Sequence, residues 1–115
     1  MTVISPIDIC IFLQYTHIMT ILPHPLSFEW DKGNSNKNLK KHNVTNQEAE
    51  EVFSNEPLVV LEDVGHSKQE TRFQALGVTS KRRKLFLSFT VRKNKVRIIS
   101  VRDMNRKEEV VYEKS

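Results

Sequence analysis

The sequence predicts an α+β domain, an antiparallel β-sheet with helices packed on it. The first observation is a pair of β-rich runs, Lys84–Arg92 and Lys95–Met104, joined by a polar break. Leu85, Leu87, Phe89 and Val91 alternate with Phe86, Ser88 and Thr90, which is the period of a strand, and the second run is rich in β-branched residues. The second is Thr45-Asn-Gln-Glu48, a capping box that opens a helix. The third is the order of segments: strand, two helices, four strands, helix. With 115 residues the chain has room for one domain and a modest core.

Taken in order, residues 1–18 stand apart. The apolar run Ile9–Leu13 is bracketed by Asp8 and Gln14 and falls far short of the ~20 residues that span a bilayer. Met1–Pro6 carries no Lys or Arg, so a secretory signal fits poorly. We therefore divide the chain into an extension, 1–18, either a loose tail or a start-site artefact with translation from Met19, and a domain, 19–115. Cys10 is the single cysteine, which excludes an internal disulfide and a Cys-rich zinc site and points to a reducing, cytoplasmic setting.

Ile21–Trp30 holds two prolines and reads as a short edge strand, with Phe28 and Trp30 on one face. Asp31 can cap a polar helix over Asn34–His42 whose clearest apolar contact is Leu39. The capping-box helix carries Ala49, Val52 and Phe53 inward, with Val44 stapled onto Ala49, and stops near Ser54-Asn55 ahead of Pro57. Leu58–Leu61 is a short strand and Glu62–Gln69 a loop. Thr71–Gly77 is a strand with Phe73, Ala75 and Gly77 on one face and Arg72, Gln74 and Leu76 on the other. The hairpin turn is Arg92–Lys95, with Asn94 best able to adopt a positive φ. Asn105–Glu108 can cap a last helix bearing Val110, Val111 and Tyr112.

Charge is distributed unevenly. Residues 1–66 hold four Lys/Arg against nine Asp/Glu, a net of −5, and residues 67–115 hold fourteen against five, a net of +9. The C-terminal half faces anions, which favours a nucleic acid or an acidic protein as partner over a neutral small molecule. His17, His24, His42 and His66 lack metal-ligand spacing, and Gly-rich phosphate loops and hydrolase elbows do not occur. No metal and no cofactor is expected.

Phe28-Glu-Trp-Asp31, then Asn38-Leu-Lys-Lys-His42-Asn-Val44, Glu48-Ala49, Val52-Phe53, Glu70-Thr-Arg72, Gly77, and Arg97-Ile-Ile-Ser-Val-Arg102 with Glu108 together resemble the BrnT family. These are ribonuclease toxins of type II toxin–antitoxin modules, and the resemblance covers about residues 19–113. Each piece alone is weak, but their order is specific. Two positions depart from the pattern: Val101 stands where alanine is expected and Glu109 where arginine is common. The resemblance implies a RelE-like fold and metal-independent cleavage of RNA. It also implies a tight complex with a BrnA-type ribbon-helix-helix antitoxin that binds promoter DNA.

Cleavage through the ribose 2′-hydroxyl requires a base, cations on the phosphorane and an acid for the leaving oxygen. His42 and Glu70 are the candidate base or acid, and Arg72, Arg97 and Arg102 the phosphate clamp. Lys41, Arg82, Arg83, Lys84 and Arg92 are candidate RNA contacts. Bland alternatives stand beside these: His42 as a helix-end histidine, Glu70 as the ion-pair partner of Arg72 or Lys68, Trp30 as core rather than a base-stacking ring. In a regular strand Arg97 and Arg102 point to opposite faces, so a bulge or the strand end must intervene if both touch one phosphate. A non-catalytic nucleic-acid binder and a module that only docks an antitoxin are the competing classes.

Overall fold

The structure is a computed structural model and describes residues 22–63, 65 and 70–115. The extension 1–18, the Met19 start and most of the Glu62–Gln69 loop lie outside the described residues. Four strands, β1 (Val59–Glu62), β2 (Phe73–Val78), β3 (Lys84–Arg92) and β4 (Lys95–Asp103), form one antiparallel sheet in the order β1-β2-β3-β4. Three helices accompany it, α1 (Lys37–His42), α2 (Asn46–Val52) and α3 (Arg106–Glu113). The α+β expectation holds.

The inner face of the sheet carries Phe73, Ala75, Leu85, Leu87, Phe89, Val96, Ile98 and Val101 against Val44, Ala49, Val52 and Phe53. Phe53 meets Phe89 edge-on at 5.1 Å and Phe28 at 5.5 Å between ring centres. The capping box that opens α2 is complete: Glu48 N–H donates to Thr45 Oγ1 and Thr45 N–H to Glu48 Oε1, each at 3.0 Å. Val44 and Ala49 both enter this core, as the staple requires. The opposite, outer face packs Val59, Leu76 and Val78 against Met104 and Tyr112. Asn105 and Glu108 cap α3 reciprocally, and Tyr112 OH donates to the Pro57 carbonyl at 2.6 Å.

Several expectations need correction. Ile21–Trp30 is not an edge strand over its described length: Phe28 alone bridges β4, parallel to Val96, through two backbone bonds of 2.8 Å. Pro23 and Pro25 have no N–H to give a ladder, and the chain leaves β4 in a turn at Asp31. Asp31 caps that turn, not a helix, since its carbonyl accepts from Asn34 and Ser35 and its Oδ1 from Gly33. α1 therefore starts three residues late, at Lys37, from a left-handed Asn36 with no side-chain cap. Leu39 is 42% exposed, and Asn38 is the residue α1 buries. Val110 likewise faces out, leaving Val111 and Tyr112 inward. At the hairpin both Lys93 and Asn94 take positive φ, 50° and 62°, as a two-residue turn matching the strand twist requires.

Candidate functional site: the arginine face of the sheet

The β3–β4 register decides which side chains share a face. Phe86 pairs with Arg102, Leu87 with Val101 and Ser88 with Ser100, but Phe89 pairs with Ile98, so Ile99 is an extra residue in β4. That bulge reverses the parity of everything beyond it. Phe89, Ile98, Leu87 and Val101 all enter the inner core. Their neighbours Thr90/Arg97, Ser88/Ser100 and Phe86/Arg102 therefore point to the outer face together. The bulge that a common face for Arg97 and Arg102 demands is present.

On that face the two arginines flank a cross-strand pair of serines, Ser88 and Ser100. Their strand partners Thr90 and Phe86 lie about 13 Å apart at ~3.3 Å per residue, so both guanidinium groups can reach a ligand seated over the serines. The Arg97 side chain is only 14% exposed. Its Nη1 donates to Glu29 Oε1 at 2.9 Å and Asp31 Oδ2 at 2.8 Å, and its Nη2 to Asp31 Oδ1 at 3.1 Å. Arg102 forms a bidentate pair with Glu108 at 2.8 and 2.9 Å, and its guanidinium lies 4.2 Å over the Phe86 ring. Arg92 forms a second bidentate pair, with Glu70, at 2.7 and 2.8 Å. Arg72 and Arg97 both act electrostatically on Glu70, so these charges gather at the hairpin end of the face.

The carboxylates respond accordingly. The Arg92 hydrogen bonds hold Glu70 below the usual carboxylate range, against the opposing effect of burial. Arg97 and the Gly33 amide do the same for Asp31. Burial pushes Glu108 up, but Arg102 and the Asn105 amide outweigh it and leave the group lowered. All three are carboxylates at neutral pH.

The remaining candidates sit elsewhere. Arg83 donates to both Asp103 oxygens, to Glu48 and to the His42 and Asn43 carbonyls that end α1. His42 acts on Asp103 at this same end of the sheet. Arg83 and Arg92 bracket β3, roughly 30 Å apart at ~3.3 Å per residue, so the structure separates His42 from Glu70. Lys84 pairs with Glu113 at 3.2 Å, while Lys41 and Arg82 are exposed. Trp30 packs against the inner core and donates to Glu50 at 2.6 Å, so its ring belongs to the fold. Sequence reasoning missed Ser88, which the bulge sets opposite Ser100, and the carboxylates Glu29, Asp31 and Glu108 as partners of the clamp. Among the described residues no three His, Cys, Asp or Glu side chains are grouped to hold a metal ion, and no helix is long and apolar enough to cross a membrane.

Fold and site together define a small α+β domain with an arginine-bearing sheet face. The chain belongs to the BrnT family, the ribonuclease toxins of type II toxin–antitoxin systems, whose family model matches residues 30–108. All five candidate catalytic residues fall inside that span. Membership brings an RNA substrate and an antitoxin partner. No curated protein matches the chain.

Proposed function

We propose that this chain is a RelE-like, metal-independent endoribonuclease, held idle by a BrnA-type ribbon-helix-helix antitoxin, the complex binding its own promoter DNA. The observation that carries the reading is the Ile99 bulge, which gives Arg97 and Arg102 one face with Ser88 and Ser100 between them. An RNA phosphate over the serine pair meets a guanidinium on each side, and the planar forks match its oxygens in the ground state and the phosphorane. Arg72 and Arg92 extend the clamp along the backbone. Glu70 is ionised, so it is suited to accept the 2′-hydroxyl proton and unsuited to donate one. Its bond to Arg92 weakens it as a base; a phosphate that engages Arg92 restores it. The leaving 5′-oxygen then takes its proton from water. His42, with Lys41, Arg82 and Lys84, contacts flanking RNA at the far end of the sheet.

A second reading has its own support. Arg92, Arg97 and Arg102 are each already held by a carboxylate, which suits a face that binds RNA or an antitoxin without cutting. Incubating purified chain with RNA in EDTA separates the readings. Cleavage that survives chelation and falls by about 10²–10³ in Arg97→Ala and Arg102→Ala supports the enzyme. Shifted but intact RNA supports the binder, and no effect on RNA supports the docking module. Cleavage abolished by EDTA overturns metal independence.

A further inference from the structure

Two buried asparagines outside the arginine face hold the backbone that shapes it. Asn34 and Asn38 are 2% and 4% exposed, in the turn before α1 and in its first turn. The Asn34 Nδ2 donates to the Ile98 carbonyl at 3.0 Å and to the Glu29 carbonyl at 2.9 Å, and its Oδ1 accepts from the Asp31 amide at 2.8 Å. The Asn38 Oδ1 accepts from the Val101 amide at 3.0 Å. Ile98 and Val101 are the inward-facing residues on either side of the bulge. An edge strand leaves such groups without a ladder partner, and burying them unpaired costs about 1–3 kcal/mol each. Here two side-chain amides take the place of the missing strand.

We infer that Asn34 and Asn38 are positioning residues: by gripping Ile98 O and Val101 N they pin the bulge at Ile99 and so keep Arg97 and Arg102 on the same face. This rests on the reading of that face as the one that cleaves RNA. A bulge is one surplus residue, and the adjacent Ile98 and Ile99 are alike enough that the sequence alone does not fix which of them is the surplus. Lost, or moved outside residues 98–101, it would turn Arg97 or Arg102 off the face. The same loop sets Arg97 from its other end. Asp31 binds the guanidinium, and a Cβ on Gly33 would lie 3.0 Å from Arg97 Nη2.

The test pairs register with kinetics in the full chain. Cross-strand proton contacts between Ser88 and Ser100 and between Leu87 and Val101, measured by NMR, report the bulge. Asn38→Leu should lose those contacts and the hydrogen-exchange protection of the Val101 amide. It should lower kcat on the order of 10²-fold, as displaced catalytic groups do, with KM little changed. Asn38→Asp, which keeps an acceptor oxygen in the first turn of α1, should restore both. If Asn38→Leu does not melt cooperatively, Asn38→Ser and Asn34→Ala carry the same comparison. A folded variant that keeps the wild-type register overturns the inference, as does one that shifts register yet cleaves at the wild-type kcat. Wild-type cleavage by Arg97→Ala and Arg102→Ala would instead remove the functional reading, while the register data still decide whether the asparagines pin the bulge.

Discussion

Arg83 lies in the most basic run of the sequence, Lys81-Arg-Arg-Lys84, yet its guanidinium is spent on the fold. It joins Asp103 at the end of β4, Glu48 in α2 and the last carbonyls of α1, where a cation also suits the helix C-terminus. Asp103 sits below its ordinary range chiefly through Arg83, and Glu48 through the Thr45 amide first and Arg83 after it. Lowered carboxylates stabilise the fold fully above their ordinary values near 3.8 and 4.5. That stabilisation is lost as the pH falls through the lowered ones. Arg83→Met should therefore melt below the wild type at neutral pH, with the gap narrowing toward about pH 3; a gap of constant size would mean that the ion pairs contribute nothing. Arg97 differs in kind. Arg97→Lys keeps the charge but places one ammonium where a fork spans Glu29 and Asp31, so it should recover little of the activity lost in Arg97→Ala.

At the scale of elements, α2 packs on the sheet through Phe53 against Phe89 of β3 and Val52 against Gly77 of β2. Phe53 ends α2 between Phe28 and Phe89, and Phe53→Ala should cost about 3–5 kcal/mol in denaturant melts. Gly77 lets β2 approach the helix: a Cβ there would lie 2.5 Å from Val52 Cγ1, so Gly77→Ala should cost about 1–3 kcal/mol by overpacking. If both variants melt like the wild type, α2 does not pack as described. These elements were legible in sequence because their signals are local, whether a capping box, a period of two or a turn with one asparagine. What escaped was non-local. Asn34 and Asn38 were expected only as part of a polar helix, and their worth appears only when Ile98 and Val101 arrive more than sixty residues later to be bonded. Leu39 looked like the buried residue of α1 for the same reason, since composition alone cannot tell that an amide, not a methyl group, is what the sheet edge needs. The bulge is invisible to any pattern of alternation, so the shared face of Arg97 and Arg102 could be stated only as a condition.

Over the whole molecule the −5 of residues 1–66 and the +9 of residues 67–115 meet, among the described residues, in ion pairs. Glu29 and Asp31 from the acidic half bind Arg97, and Glu48 binds Arg83. Internal pairing offsets part of the basic charge but leaves exposed Lys41, Arg82, Lys93 and Lys95 around the sheet, so a net positive field remains to steer anions. RNA and an antitoxin segment rich in Asp and Glu would be drawn to the same face, and an antitoxin seated there blocks RNA by occupancy. Such an encounter is speeded by charge and slowed by counterions, because the Debye length shrinks from about 10 Å at 0.1 M to about 3 Å at 1 M salt. The association rate of toxin with antitoxin should accordingly fall steeply as salt is raised, while the dissociation rate changes less. Arg92→Ala, which removes one exposed guanidinium at the hairpin end, should flatten that dependence without altering the melt. An association rate indifferent to salt would put the antitoxin on another surface, and inhibition would then have to act through the fold, not by covering the arginines.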